Sequence, residues 1–247
     1  MGSKRFIVAC MLGAMAAYAA PGFAAPINNI VLVHGAFADG SGWKGVADIL
    51  VAAGFKVSVV QHPDSSLAED VAATRRILDR QDGPAVLVGH SYGGTVITDA
   101  GNHPKVKALV YVAAYAPESG EDPKALRALR PAPTSNIVQL GDGFIIRNPD
   151  SFPADFAADL PRDVARFMAI AQVPTATAAL AAPVATAAWH AKPSWYVVAT
   201  EDRIIHPELQ RYMAKRAGSK TVEVKGSHAV FIAQPAAVAK VIQDAAK

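Results

Sequence analysis

Six short runs of aliphatic and β-branched residues punctuate the chain: Ile30–Val33, Phe55–Val60, Ala85–Val88, Ala108–Val112, Trp195–Val198 and Thr221–Val224. Most are continuously apolar rather than alternating, the pattern of strands covered on both faces of a parallel sheet. Helical periodicity lies between them. Ser66-Leu67-Ala68-Glu69 reads as a capping box, Leu67, Val71, Thr74 and Leu78 follow at helical spacing, and Asp82-Gly83-Pro84 ends the segment. Further on, Pro207 opens a second helix carrying Leu209, Tyr212, Met213 and Arg216 on one spacing, and Gly218 closes it. Strands alternating with helices predict a doubly wound α/β architecture, a mostly parallel central sheet with helices on both faces.

The stretch 117–190 departs from that rhythm. It is rich in Pro and Ala, with short helices predicted around Pro123–Leu129 and Pro161–Ala171. Segments this long between elements are usually lids, linkers or disordered. Phe152, Phe156, Phe167 and Met168 give it apolar surface to lay over something, which predicts an inserted helical cap.

At the other end, Lys4-Arg5, an uncharged, mostly apolar run Phe6–Ala20, and Gly22-Phe23-Ala24 have the form of a secretory signal peptide. Residues 1–24 are therefore expected to be a leader cleaved after Ala24, with Ala17-Tyr18-Ala19 as a second cleavage point. One α/β domain is expected over 25–247. The apolar run falls short of the roughly 20 residues a bilayer-spanning helix needs. The protein is accordingly expected to be exported, periplasmic or secreted, with no stable membrane association after cleavage.

Composition narrows the chemistry. The chain is 51% hydrophobic and 18% charged, which excludes a disordered protein. Its net charge is +3, and Lys4 and Arg5 supply two of those positive charges. The remaining body is nearly neutral and carries no electrostatic footprint for nucleic acid. Cys10 is the only cysteine, so there is no intramolecular disulfide framework or cysteine zinc site. No HxxxH spacing or clustered carboxylates suggest a metal, and neither a metal nor a cofactor is expected.

The sharpest motif is Gly89-His90-Ser91-Tyr92-Gly93-Gly94, a G-x-S-x-G sequence between an apolar run and helix-compatible residues from Thr95. A serine on a tight strand-to-helix turn needs small residues on either side, because the chain crosses itself closely there. A second strand ends in His34-Gly35-Ala36-Phe37, where the loop can aim a backbone N–H at a developing oxyanion. The candidate donors are Ala36, with Phe37 as the alternative, and Tyr92 just after the serine. A serine hydroxyl needs a base to take its proton, usually a histidine oriented by a carboxylate. In the order serine, acid, histidine, Asp202 falls just past one late strand run and His228 just past the last. Glu201 is the alternative acid.

The other histidines read differently. His62, His103 and His190 stand in loop-like contexts and are expected to be solvated, and His206 is expected at a helix start. His34 and His90 are read as loop supports. Trp189, Trp195 and Tyr196 are read as core packing, and Arg75-Arg76 as an exposed helix face.

Together these stretches resemble the α/β-hydrolase superfamily, in particular small bacterial esterases similar to plant-type methyl esterases and hydroxynitrile lyases. The matching residues are Val31–Ala36, Gly89–Gly94, Thr200–Ile205 and Gly226-Ser227-His228. The resemblance implies a central sheet with a cap over the active site and cofactor-independent chemistry. It further implies Ser91 as nucleophile, Asp202 as acid and His228 as base. The lyases of that branch carry threonine where Gly35 stands and lysine where Ala229 stands, so the departures favour ester hydrolysis. The expected activity is hydrolysis of small-molecule carboxylic esters through an acyl-enzyme. The alternatives are another reaction of the same triad, such as perhydrolysis or C–C bond cleavage, and a non-catalytic ligand receptor on the same fold. Acyl and alcohol specificity and oligomeric state are not legible in the sequence.

Overall fold

The computed structural model describes residues 1–2 and 27–247. The expected leader beyond Gly2, Cys10 included, lies outside the described residues.

Asn29–Val33 (β1), Lys56–Val60 (β2), Ala85–His90 (β3), Val106–Val112 (β4), Ser194–Ala199 (β8) and Lys220–Val224 (β9) build one sheet, in the order β2-β1-β3-β4-β8-β9. All five strand pairs are parallel. Why the central strands are apolar along most of their length is visible in where successive side chains go. Val31, Val33, Leu87, Leu109 and Tyr111 enter one core with helices Leu67–Asp79 (α2), Gly93–Ala100 (α3) and Pro207–Arg216 (α8). Ile30, Leu32, Val86, Val88 and Val110 enter another with Lys44–Ala52 (α1) and Pro235–Ala245 (α10). Each of these side chains therefore leaves water whichever face it points to, at roughly 25 cal/mol per Å² of apolar surface buried. The two edges differ. β9, Lys-Thr-Val-Glu-Val, is mostly exposed, and its charged residues blunt the edge against further pairing.

The helix signals are realised with one difference. Ser66 caps α2 by accepting the Glu69 N–H at 3.2 Å, but the Glu69 carboxylate takes the Ser65 hydroxyl instead of completing the box. At α8, Pro207 sits in the first turn, the His206 ring accepts the Glu208 N–H, and Gly218 lies just beyond the end at φ 62°.

Between β4 and β8 lies the cap. It holds the two expected helices, Pro123–Ala128 (α4) and Arg162–Ile170 (α6), with Phe152–Phe156 (α5) and Thr177–Ala181 (α7). It also holds three strands that the expectation of a helical cap lacked: Ile137–Gly141 (β5), Phe144–Arg147 (β6) and Thr175–Ala176 (β7) form a small antiparallel sheet. The turn Gly141-Asp142-Gly143 runs at φ 96°, 50° and 80°, a left-handed course that glycine and aspartate tolerate. Phe167 also departs from expectation. It points outward and is 67% exposed, whereas Phe152 and Phe156 are buried. A four-residue helix, Val230–Ala233 (α9), follows β9 and completes the chain order before α10. Among the described residues no helix is long and apolar enough to cross a membrane.

Candidate active site

Strand order changes direction between β1 and β3: the chain runs outward from β1 to β2, then returns to β3 on the other side. Loops leaving the carboxyl ends of such neighbours diverge and leave a crevice, where ligands bind in open α/β sheets. β1 and β3 are in register there, Val33 beside Gly89, so His34–Phe37 and Ser91 emerge side by side.

Ser91 occupies the left-handed region at φ 52° and is almost buried, with 6% of its surface exposed. Such a conformation costs about 1–3 kcal/mol for a non-glycine residue and persists only where the surroundings impose it. They do so here by close backbone crossings. A Cβ on Gly89 would stand 2.5 Å from the Gly93 oxygen, and one on Gly93 would stand 2.4 Å from the His34 oxygen. Gly94 abuts the Tyr115 oxygen, 2.2 Å from where its Cβ would be. The turn is closed by Gly94 and Tyr115 N–H groups, both donating to the Ser91 oxygen.

Past β8, Asp202 is buried and fully engaged. Its Oδ1 accepts the N–H groups of Ile204 at 2.7 Å and Ile205 at 2.9 Å. Its Oδ2 accepts the Gln210 side-chain amide at 2.8 Å and faces His228 Nδ1 at 2.7 Å. The Nδ1 proton is thereby assigned toward the carboxylate, which leaves Nε2 as the basic nitrogen. His228 is wholly buried, and its Nε2 has no hydrogen-bond partner among the described residues. Its backbone oxygen accepts His90 Nε2–H at 2.9 Å, from the residue next to Ser91. Burial, reinforced by neighbouring His228, holds the His90 ring far below the ordinary histidine pKa, so it stays neutral. The edge of Phe156 meets the His228 ring, with centroids 4.7 Å apart. The cap also pins the loop: Phe156 O accepts the Ala229 N–H, and Asp159 accepts the Ser227 N–H and hydroxyl.

The structure thus joins Asp202 to His228 directly, and Ser91 to His228 only through the neighbouring His90. Ser91 Oγ makes no hydrogen bond among the described residues. In unliganded sites such links are commonly long and tighten with substrate. Glu201, the alternative acid, lies at the surface beside Lys225.

Of the oxyanion candidates, the N–H groups of Ala36 and Tyr92 are unused by hydrogen bonds among the described residues. Phe37, at φ 66°, donates its N–H to Thr175 Oγ1 at 3.2 Å, so it is already committed. Burial holds His34 down at about 4; its Nδ1 donates to Gly35 O and its Nε2 accepts the His62 N–H.

His62 contradicts its expected place in solvent. It is buried, stacked on His34 with ring centroids 3.6 Å apart, and its Nδ1 lies 2.9 Å from Asp64 and 3.5 Å from Asp70. Burial alone would lower its pKa, but the two carboxylates outweigh it and raise it to about 9. Asp64 is pushed up by its own burial. His103 is half-buried against Asp79, His190 is exposed beside Glu118, and His206 caps α8 as expected. Tyr196 and Trp189 lie in the core, with Trp195 packed at its margin.

Sequence reasoning missed Gln210, Asp70, Thr175 and Asp159. Gln210 is wholly buried and bridges Asp202, Ile205 O and the Ala199 N–H, the last at 3.0 Å. Only its position beside the core residue Leu209 hinted at an inward face.

An open parallel sheet with a serine elbow, a buried Asp–His pair and a cap defines a hydrolase-type architecture. The family model of the alpha/beta hydrolase family matches residues 30–241, and the chain belongs to that family. Over 248 aligned residues it is 28% identical to a pyrethroid hydrolase from Sphingobium wenxiniae, covering 88% of this chain and 87% of that one. It is 34% identical to a carbendazim hydrolyzing esterase from Nocardioides over 126 residues, a match spanning 44% of this chain and 52% of that esterase. In fold it is similar to a pyrethroid hydrolase from Sphingobium faniae, at a TM-score of 0.78 with 22% identity over 89% of this chain and 97% of that one. It also resembles a methylesterase from Arabidopsis, at a TM-score of 0.74 with 18% identity over 89% of this chain and 98% of that one.

Proposed function

We propose that the protein is a serine carboxylic-ester hydrolase with Ser91 as nucleophile, His228 as general base and Asp202 as the carboxylate that orients it. The observation that carries this reading is the 2.7 Å Asp202–His228 pair, whose outward nitrogen is left without a partner in a buried site beside a serine elbow. His228 Nε2 takes the Ser91 proton as Oγ attacks the ester carbonyl. The N–H groups of Ala36 and Tyr92 stabilise the tetrahedral oxyanion. The imidazolium, stabilised by Asp202, then protonates the departing alcohol. The same nitrogen next activates a water that hydrolyses the acyl-enzyme and frees Ser91.

Esterase and hydrolase relatives support ester substrates. Phe152, Phe156 and Met168 cluster in the cap beside Ala229 and favour an apolar group on the acyl or alcohol side. Hydrolysis is favoured over lyase chemistry by Gly35, whose Cβ would stand 2.7 Å from the Ser91 Cβ. A threonine there would have to displace the nucleophile. The basic and apolar leader supports export.

The test is a panel of p-nitrophenyl esters of graded acyl length, assayed with wild type and Ser91→Ala. Turnover lost in the variant, with the melting temperature kept, is the expected result. Undiminished turnover would refute the assignment.

A further inference from the structure

We propose that His62, Asp64 and Asp70 are positioning residues for the oxyanion hole: one buried ionic cluster fixes both chain segments that carry its N–H donors. The inference rests on the hydrolase reading above and deepens it.

Each arm of the cluster ends on one of those segments. Toward the elbow, Asp70 Oδ2 accepts the Tyr92 hydroxyl at 2.7 Å, so the residue whose backbone N–H faces the oxyanion is held by its own side chain. Burial, together with Asp70, pushes the Tyr92 phenol far above its ordinary pKa, and it remains a donor. Toward the first loop, Asp64 Oδ2 accepts the Thr175 hydroxyl at 3.2 Å, and Thr175 Oγ1 in turn accepts the Phe37 N–H. His62 holds the other end of that loop, donating Nε2–H to the His34 oxygen at 3.0 Å and its backbone N–H to the His34 ring. The two aspartates are themselves joined, because Asp70 Oδ1 accepts the Asp64 backbone N–H at 3.0 Å. The cap enters through the same point: Asp64 O accepts the Ala176 N–H at 2.8 Å.

Stability alone is a weak reason for such a cluster. The side chains of His62, Asp64 and Asp70 are fully buried or nearly so, and well-packed apolar residues often replace buried ion pairs without loss. What apolar residues cannot supply is direction. A hydrogen-bonded cluster fixes the rotamer of Tyr92 and the course of His34–Phe37, and oxyanion donors act only when held at the place where charge develops. A metal does not explain the arrangement. His34, His62 and Asp64 offer ligand atoms within 4.8 Å of one another, but both ring nitrogens of His34 are already hydrogen-bonded.

Tyr92→Phe and Thr175→Val test the two arms. Each keeps the side chain's shape and removes one hydroxyl, and Asp70→Asn tests the centre. Active enzyme is counted by titration with a fluorophosphonate, and kcat, KM and inhibition by an aryl trifluoromethyl ketone, which forms a tetrahedral adduct, are referred to that count. Displacing catalytic geometry by about 1 Å can cost as much as about a hundredfold. The expected result is a kcat per labelled site about tenfold or more lower in both hydroxyl variants. KM should stay within about twofold, and the ketone's Ki should rise in parallel with the fall in kcat. A merely structural role would lower the melting temperature and the labelled fraction while leaving kcat per site and Ki within about twofold, and that result overturns the inference. If wild type is not labelled at all, the hydrolase reading itself fails, and the inference with it. If Asp70→Asn does not fold, the two hydroxyl variants still decide.

Discussion

Raising the pH removes the proton that holds His62 between its carboxylates, and the consequence for stability can be worked out. An unfolded chain releases a histidine proton near 6.5, whereas the folded protein keeps it to about 9. Between those values the folded state binds more protons, so unfolding is increasingly favoured as pH rises. The contribution is fully present below about 6.5 and is lost as pH climbs through about 9. At 1.36 kcal/mol per pH unit, the span amounts to about 3 kcal/mol. That is a large part of a typical domain's 5–15 kcal/mol. The groups facing the ring are Asp64, Asp70, the stacked His34 and the Tyr92 ring at 6.1 Å, and the last two are neutral throughout this range. Chemical denaturation of wild type and His62→Gln at intervals from pH 6.5 to 9.5 reads the effect. The wild type should lose about 3 kcal/mol across the window and the variant should be nearly flat. Parallel curves would refute the assignment of a protonated, ion-paired His62.

His34 has the opposite sign: held neutral down to about 4, it removes stability as pH falls from about 6.5, and a denaturation series carried from pH 6.5 down to about 4 should be flatter in His34→Gln than in wild type. Gln210→Leu strips a charge-directed hydrogen bond from Asp202, usually worth about 1.5–3 kcal/mol, so kcat should fall by about ten- to a hundredfold with KM little changed. Gly93→Ala places a methyl 2.4 Å from the His34 oxygen and should fail to give soluble, cooperatively melting protein. Phe156→Ala removes a fully buried ring from beside His228 and should cost about 3–5 kcal/mol in a denaturant melt, with ester turnover reduced as well.

How much of this was legible depended on whether burial came from the segment itself or from distant chain. The central strands announced themselves because both of their faces are covered, which confines polar positions to the strand ends, such as Lys107 in β4. Strand ends then singled out Ser91, Asp202 and His228 as candidates, since a parallel sheet delivers all its carboxyl-terminal loops to one edge. His62 was illegible for the converse reason. Flanked by Gln61 and Pro63 it reads as loop, and its burial is made by Asp70 from α2 and His34 from β1's loop. The cap strands were hidden by brevity and by surrounding Pro and Ala. Only the Gly141-Asp142-Gly143 turn between Val138 and Phe144 signalled a hairpin. Gln210 shows its role only once helix α8 is docked against Asp202.

The central claim is that Ser91 becomes a nucleophile because His228, oriented by Asp202, takes its proton. Mass spectrometry of the intact protein after exposure to a fluorophosphonate tests this most directly. The account predicts one phosphonyl adduct, mapped to Ser91, absent in Ser91→Ala and formed far more slowly in His228→Ala. Labelling elsewhere, or labelling at Ser91 that proceeds undiminished without His228, would contradict it.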